Sequence, residues 1–286
     1  MIGFNHLGTM GRFGNQMFQY ATLKGIARNR GFDFCIPPEL GTSRQQHNYG
    51  LFDAYEMSGV SNVQFLNNGH APVVREKFFH FDEDLFKLCP DHVSILGFFQ
   101  TEKYFKHIET EIRKDFTFRD NWLKPCQEFM SQFEGEEIGF VHIRRGDPTL
   151  DDNGFKWAYT ECSDQHPPQP ISYYEKALKK FPEDMKFLVF SDSIDWCKEQ
   201  EIFKSDRFMF SEPEDKFSDG SFMPYIDVCL MSLCSHAIIP NSSLSWWGAW
   251  LQKNPNKKVI SPKMWFGPAY HFHDTKDLIP EEWERI

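Results

Sequence analysis

The segment His142-Ile143-Arg144-Arg145-Gly146-Asp147 gathers an imidazole, two guanidinium groups and a carboxylate on a few consecutive residues. Guanidinium offers phosphate oxygens a bidentate fork that a lysine ammonium cannot reproduce. The segment ends a short apolar, β-branched run over 138–143 that reads as a strand, and open α/β sheets bind ligands at the carboxyl ends of their strands. The plain alternative is a solvated basic loop in which Asp147 pairs internally. An integrin-type use of Arg-Gly-Asp has no support, because nothing suggests an extracellular display loop.

A second chemical segment is Pro240-Asn241-Ser242-Ser243-Leu244-Ser245-Trp246-Trp247-Gly248-Ala249-Trp250. A buried strand breaks at Pro240, and Asn and Ser at a helix start satisfy its orphan N–H groups. Those N–H groups and the positive end of the helix dipole make a ready anion site. The bland reading is an N-cap leading into an aromatic core helix. A third segment, Gly8-Thr9-Met10-Gly11-Arg12-Phe13-Gly14-Asn15-Gln16, lets backbone approach a ligand closely. It is neither G-x-G-x-x-G nor a phosphate-binding G-x-x-x-x-G-K-[ST] loop, so glycine alone says little about nucleotides. Ser191-Asp192 ends the apolar run Lys186-Phe187-Leu188-Val189-Phe190 and puts a carboxylate at the same sheet edge, where a helix N-cap is the competing role.

Metal sites are poorly supported. Asp82-Glu83-Asp84 fits the D-x-D pattern by which some sugar transferases hold a divalent ion, a pattern short enough to arise by chance. Cys229, Cys234 and His236, or His271, His273 and Asp274, lack zinc spacing. No G-x-S-x-G nucleophile signature occurs. Asn241-Ser242-Ser243 fits a glycosylation sequon that a cytosolic chain would not use.

Positioning these residues requires alternating elements. Strands are predicted at 138–143, 186–190, 207–210, 236–239 and 258–261, and helices at 173–181, 193–203, 222–234 and 242–251, with Ile226, Leu230 and Leu233 on one face of the third. Such alternation indicates a parallel sheet with helical crossovers. The first half is less regular: strands at 2–6, 32–36 and 93–99, and helices at 16–28, with Tyr20, Leu23 and Ala27 facing a core, and at 104–116. The polar Glu134-Gly135-Glu136-Glu137 suggests domains over 1–135 and 136–286, and two α/β halves imply a cleft. The stretch 151–170, rich in proline, reads as a long surface loop.

The length of 286 residues permits two domains, and 41% hydrophobic with 25% charged residues excludes a disordered or coiled-coil chain. Thirty phenylalanines, eight tryptophans and nine tyrosines mostly supply core. A net charge of −10 argues against nucleic acid as a partner, so an anionic ligand needs a local cationic pocket. Seven cysteines without a C-x-x-C pair read as reduced thiols. No run is long and apolar enough to span a membrane, and the polar N-terminus lacks a signal-peptide core, so the expected location is cytoplasmic.

Taken together, Gly11-Arg12-Phe13-Gly14-Asn15-Gln16-Met17-Phe18-Gln19-Tyr20-Ala21, the His142–Asp147 string, Phe190-Ser191-Asp192 with Trp196-Cys197, and Asn241-Ser242-Ser243 through Trp250 resemble the α-1,2-fucosyltransferases, glycosyltransferase family 11. The resemblance implies a GT-B-like α/β fold of two Rossmann-like halves, with the donor nucleotide held mainly by the C-terminal half. It implies inverting transfer of L-fucose from GDP-fucose to the 2-hydroxyl of a glycan's galactose, without a metal cofactor. Arg144 is then the diphosphate contact and catalytic residue, with His142 and Arg145 placing the nucleotide and Asp147 bracing the loop. Gly11, Arg12, Gly14 and Asn15 close over fucose and phosphate, Asp192 accepts from guanine, and Asn241, Ser242 and Ser243 meet the diphosphate at the helix start. Tyr49, Phe52, Tyr55 and the 151–170 loop are expected at the acceptor, and the general base is left unassigned. Pro148, where an aromatic or apolar residue is expected, and Ser193, where a second acid is common, depart from the pattern. Competing readings are a GDP-sugar transferase of another linkage such as α-1,6, a metal-dependent transferase using Asp82-Glu83-Asp84, and a non-catalytic carbohydrate-binding protein.

Overall fold

The computed structural model describes residues 1–38, 50–57, 60–61, 71–145, 151–152, 155–156, 164–211 and 224–286. The chain forms two compact units, Met1–Arg119 with His273–Pro280, and Asp120–Phe272 with Glu281–Ile286.

The first unit is built around β1 (Ile2–Gly3), α1 (Phe13–Arg30), β2 (Phe34–Cys35), α2 (Leu51–Ala54), β3 (Val73–Arg75), α3 (Glu83–Leu88), β4 (Ser94–Leu96) and α4 (Glu109–Asp115). Its four strands run parallel in the order β2-β1-β4-β3. Helix α1 is its centre, buried from Phe13 to Gln19 on most positions and continuously to Ala27, including the expected Tyr20, Leu23 and Ala27. Full burial forces its one mid-helix cation to be paired: Lys24 Nζ lies 2.6 Å from Asp115 and 3.3 Å from Glu111. Tyr20 donates to the same Asp115 oxygen at 2.7 Å. Gly31, at φ 67°, ends the helix. The predicted helix over 104–116 is instead two short 3-10 turns, Glu102–Tyr104 and Lys106–Ile108, followed by α4, because Phe105 leaves helical geometry at φ −133°.

The second unit contains α5 (Asp120–Ser131), β5 (Gly139–Ile143), the pair β6 (Asp151–Asp152) and β7 (Phe155–Lys156), α6 (Ile171–Leu178), β8 (Phe187–Ser191), α7 (Ile194–Glu199), β9 (Phe208–Phe210), α8 (Pro224–Leu233), β10 (His236–Ile238), α9 (Ser243–Leu251), β11 (Val259–Ser261) and β12 (Glu284–Arg285). A boundary after 135 would leave α5 in the first half, yet α5 packs in the second unit. There Trp122 meets Tyr225 with ring centres 5.6 Å apart, and Cys126 is buried beside α8. Sequence patterning also passes over α3, β3 and β12, which are short, and over α5, which carries Pro125 inside it.

Six parallel strands lie in the order β12-β11-β10-β5-β8-β9. The chain runs outward from β5 through β8 to β9, then restarts at β10 on the opposite side, which is the doubly wound Rossmann order. Val141 and Ile143 join Tyr173, Tyr174 and Val189 in one core cluster, so strand alternation turns Phe140 and His142 to the opposite face. On the helical layer, α8 and α9 pack closely enough that a Cβ on Gly248 would stand 2.6 Å from the Met231 Cβ. Trp246, Trp247 and Trp250 are buried, so the tryptophans of α9 are core. The buried face of α8 includes Tyr225, Asp227 and Leu230, while Ile226 and Leu233 are only partly covered.

Candidate functional site

Strand order reverses between β5 and β10, so the crevice at their carboxyl ends is where this topology binds ligands. The arginine segment leaves β5 there. Ile143 is registered with Ser191 of β8, so Arg144 and Asp192 emerge side by side. The Arg144 Nη1 stands 2.9 Å from Asp192 Oδ2, with the carboxylate 6% and the arginine 19% exposed. The Arg145 backbone N–H donates to Asp192 Oδ1 at 2.9 Å. The Arg145 guanidinium lies 3.7 Å above the ring of Trp196, at the start of α7. Asp192 therefore braces the arginines, and the N-cap of α7 is Ser193.

His142 is 4% exposed, and its Nδ1 has no hydrogen-bond partner among the described residues. Burial, reinforced by Arg144, pushes its pKa down to about 3 despite the Asp192 charge, so the imidazole is neutral. A neutral ring with an orphaned nitrogen is suited to a ligand that supplies a donor or acceptor.

The second segment leaves the neighbouring strand β10. Ser242 is the N-cap of α9 in extended geometry, yet no side chain caps the helix and no acid lies in its first turn. Ser242 and Ser243 are partly accessible. Asn241 is 4% exposed and is taken by structure: its Nδ2 donates to Pro167 O at 3.1 Å and its Oδ1 accepts from Gln169 at 3.1 Å. It ties the segment 167–169 to the end of β10.

The glycine-rich segment belongs to the first unit. Arg12 is the N-cap residue of α1, Gly14 lies in its buried first turn, and again no side-chain cap or first-turn acid is present. Gly11 has φ 70°, and a Cβ there would fall 2.4 Å from the Asn15 Nδ2. Asn15 Oδ1 accepts from Gln100 Nε2 at 2.7 Å, which joins the first turn of α1 to the loop after β4.

Asp147 and Tyr49 lie outside the described residues. Tyr55, expected near an acceptor, is fully buried against Phe116 and Phe118 with ring centres 4.8 and 4.9 Å away. The D-x-D segment is a helix start: Asp82 accepts from the Leu85 N–H at 3.0 Å, and Glu83 pairs with Lys87 at 2.5 Å. Among the described residues no group of three or more His, Cys, Asp or Glu could hold a metal ion, and no helix is long and apolar enough to cross a membrane.

Two residues escaped sequence reasoning. Trp196 was legible only as half of Trp196-Cys197, and its stacking on Arg145 needs the tertiary structure. Asp227 sits in the first turn of α8, 7% exposed, with its pKa pushed up to about 7 by burial. Since α8 leads into β10, it runs against the strands and its first turn lies at their carboxyl edge. A lone acid within the apolar run Tyr225–Leu233 was the available signal.

Comparison with known proteins agrees with this geometry. The Escherichia coli α-1,2-colitosyltransferase is 30% identical over 96% of this chain and 96% of its own length. The Escherichia coli O-antigen biosynthesis glycosyltransferase WbnK is 26% identical over 90% of this chain and 93% of its own. The galactoside α-(1,2)-fucosyltransferase 2 of Sus scrofa is 25% identical over 86% of this chain and 68% of its own. Among solved structures, the NodZ α-1,6-fucosyltransferase soaked with GDP-fucose aligns with a TM-score of 0.55 at 16% identity, over 92% of this chain and 95% of that one. NodZ from Bradyrhizobium aligns with a TM-score of 0.52 at 13% identity, over 86% and 91%. The fold is GT-B-like, with each unit a Rossmann-like α/β layer structure. All of residues 1–286 match the Glycosyl transferase family 11 profile, and the chain belongs to that family.

Proposed function

We propose that this protein transfers a 6-deoxyhexose, L-fucose, from its GDP derivative to the 2-hydroxyl of an acceptor sugar, a galactose at the end of a glycan, with inversion and without a metal cofactor. The observation that carries this reading is that Arg144 and Arg145 follow β5 and the uncapped, acid-free start of α9 follows β10, neighbouring parallel strands at the point where strand order reverses. Cleaving the sugar–diphosphate bond builds negative charge on the leaving diphosphate. Fixed guanidinium and backbone N–H donors stabilise that charge most where they are already oriented. Asp192 and Trp196 provide the orientation for Arg144 and Arg145. His142 and Asp227, each buried, carry groups that suit a guanine: a carboxylate accepts from its N1 and exocyclic N–H groups, and a neutral imidazole complements a ring edge.

The 30% identical colitosyltransferase supports a second donor, the corresponding colitose derivative, which differs in the sugar rather than in the charged leaving group. Thermal unfolding in EDTA with GDP, UDP, CMP or no nucleotide tests the donor class. At 100 times Kd a ligand adds about 2.7 kcal/mol of stability. Stabilisation by GDP alone, followed by transfer from GDP-fucose to a galactoside in EDTA, is the expected result. Stabilisation by UDP, or a requirement for Mn²⁺, overturns it.

A further inference from the structure

The chain that leaves β5 with Arg144 and Arg145 rejoins the sheet of the second unit over residues 164–173, and there it is pinned to the carboxyl ends of β10 and β11. Tyr173, in the first turn of α6 and 6% exposed, shares its hydroxyl proton between the Ile239 carbonyl at 2.7 Å and the Ile260 carbonyl at 3.2 Å. Just ahead of α6, Gln169 is 8% exposed, and its Nε2 donates to Asn241 Oδ1 at 3.1 Å and to the Met264 carbonyl at 3.2 Å. On the β11 side the backbone continues the contact: the Gly267 N–H donates to Gln165 O at 2.8 Å and the Ala269 N–H to Asp164 O at 2.7 Å. Gln169 therefore joins three segments, which are the return from the arginine loop, the turn between β10 and α9, and the chain after β11.

Side-chain amides buried to this degree are costly unless hydrogen-bonded, and once paired they hold the backbone around them in one arrangement. Asn241 directly precedes Ser242, the N-cap of α9, and no side chain caps that helix. The direction of its first N–H groups is therefore set by the turn that leads into it, and Asn241 anchors that turn. Donors aimed at a developing charge act through being already oriented, and a misplacement of about 1 Å can cost about 100-fold in rate.

We propose that Gln169 is a positioning residue for the diphosphate: through its hydrogen bond to Asn241 it sets the start of α9 against the return of the arginine loop, so that the helix N–H groups meet the diphosphate as a fixed set. This assignment rests on the GDP-sugar reading above. Gln169 acts through Asn241 and not on the substrate itself. Guanosine carries the base and ribose without the diphosphate, so it reports every nucleotide contact except those that Gln169 serves.

The test compares GDP with guanosine in calorimetric titrations of the full chain. Gln169→Met keeps the length of the side chain and removes its amide donors. GDP affinity is expected to fall at least 10-fold in this variant, with guanosine affinity within threefold of wild type, whereas a general loosening of the unit weakens both. Asn241→Ala is expected to show the same selective loss, and the double variant no more than either single one, because both break one contact. Wild-type GDP affinity in Gln169→Met, equal losses for GDP and guanosine, or full additivity with Asn241→Ala overturns the proposal. If Gln169→Met does not fold, the ratio of GDP to guanosine affinity in Asn241→Ala decides in the same way. A wild-type chain that binds no GDP removes the transferase reading and this proposal with it, a result distinct from wild-type binding that the substitutions leave untouched.

Discussion

Asp192 holds Arg144 by its side chain and Arg145 by its backbone, each at 2.9 Å, so one carboxylate fixes both the charge and the path of the loop after β5. Replacing it by alanine leaves a largely covered guanidinium without its anion, at a cost of about 2 kcal/mol in stability. Asp192→Asn keeps one acceptor for the Arg145 N–H and loses the charge and the second oxygen that Arg144 uses. Transfer is expected to fall roughly 10-fold in Asp192→Asn and at least 100-fold in Asp192→Ala, read as kcat/KM for the donor. Equal, small losses in both would sink the bracing role.

Arg144 carries the sharper consequence. Removing one preorganised donor from a developing anion costs about 100- to 1000-fold in rate. Lysine offers no planar fork to satisfy Asp192 and a phosphate together. Arg144→Ala and Arg144→Lys are therefore both expected to lose at least 100-fold in kcat, with a circular dichroism spectrum like that of wild type. A lysine variant of near-normal kcat would show that charge alone suffices.

The second unit was largely legible in the sequence because its strands are continuous apolar runs and its helices sit between them at regular intervals; 138–143, 186–190 and 236–239 each match an observed strand to within one residue at either end. The first unit was harder because its strands are two or three residues long and its central helix is buried on nearly every side, which erases the polar stripe that marks a surface helix. The arginine and Asn-Ser-Ser segments were found by residue type, and their proximity follows from topology. Asp227 carried no motif: it is distinguished by burial, which composition and spacing do not report.

Gly25 tests the packing of α1. A Cβ there would stand 2.0 Å from the Tyr104 carbonyl oxygen, a backbone atom that cannot rotate away. The usual helix preference for alanine, about 1 kcal/mol, is outweighed by this overlap. Gly25→Ala is expected to lose about 2–3 kcal/mol in chemical denaturation with an unchanged m-value. A more stable variant would mean that α1 does not approach the 3-10 turn this closely.

Asp227 makes stability and nucleotide binding respond to pH in opposite directions. Its folded pKa, near 7, lies above the ordinary value near 4, so between those pH values the folded protein binds the extra proton. Stability contributed by the protonated group is complete below about pH 4 and lost as pH rises through 7, an effect on the order of 4 kcal/mol. Asp227→Asn, which cannot ionise, should lack this fall, so the gap between the two proteins in urea unfolding closes or reverses from pH 5 to pH 8. If the ionised carboxylate accepts from guanine, GDP affinity of the wild type rises over the same interval, while that of Asp227→Asn stays flat and weak. Calorimetric titration of GDP at pH 5.5 and 8 checks this, and parallel affinities for the two proteins would remove Asp227 from the nucleotide site.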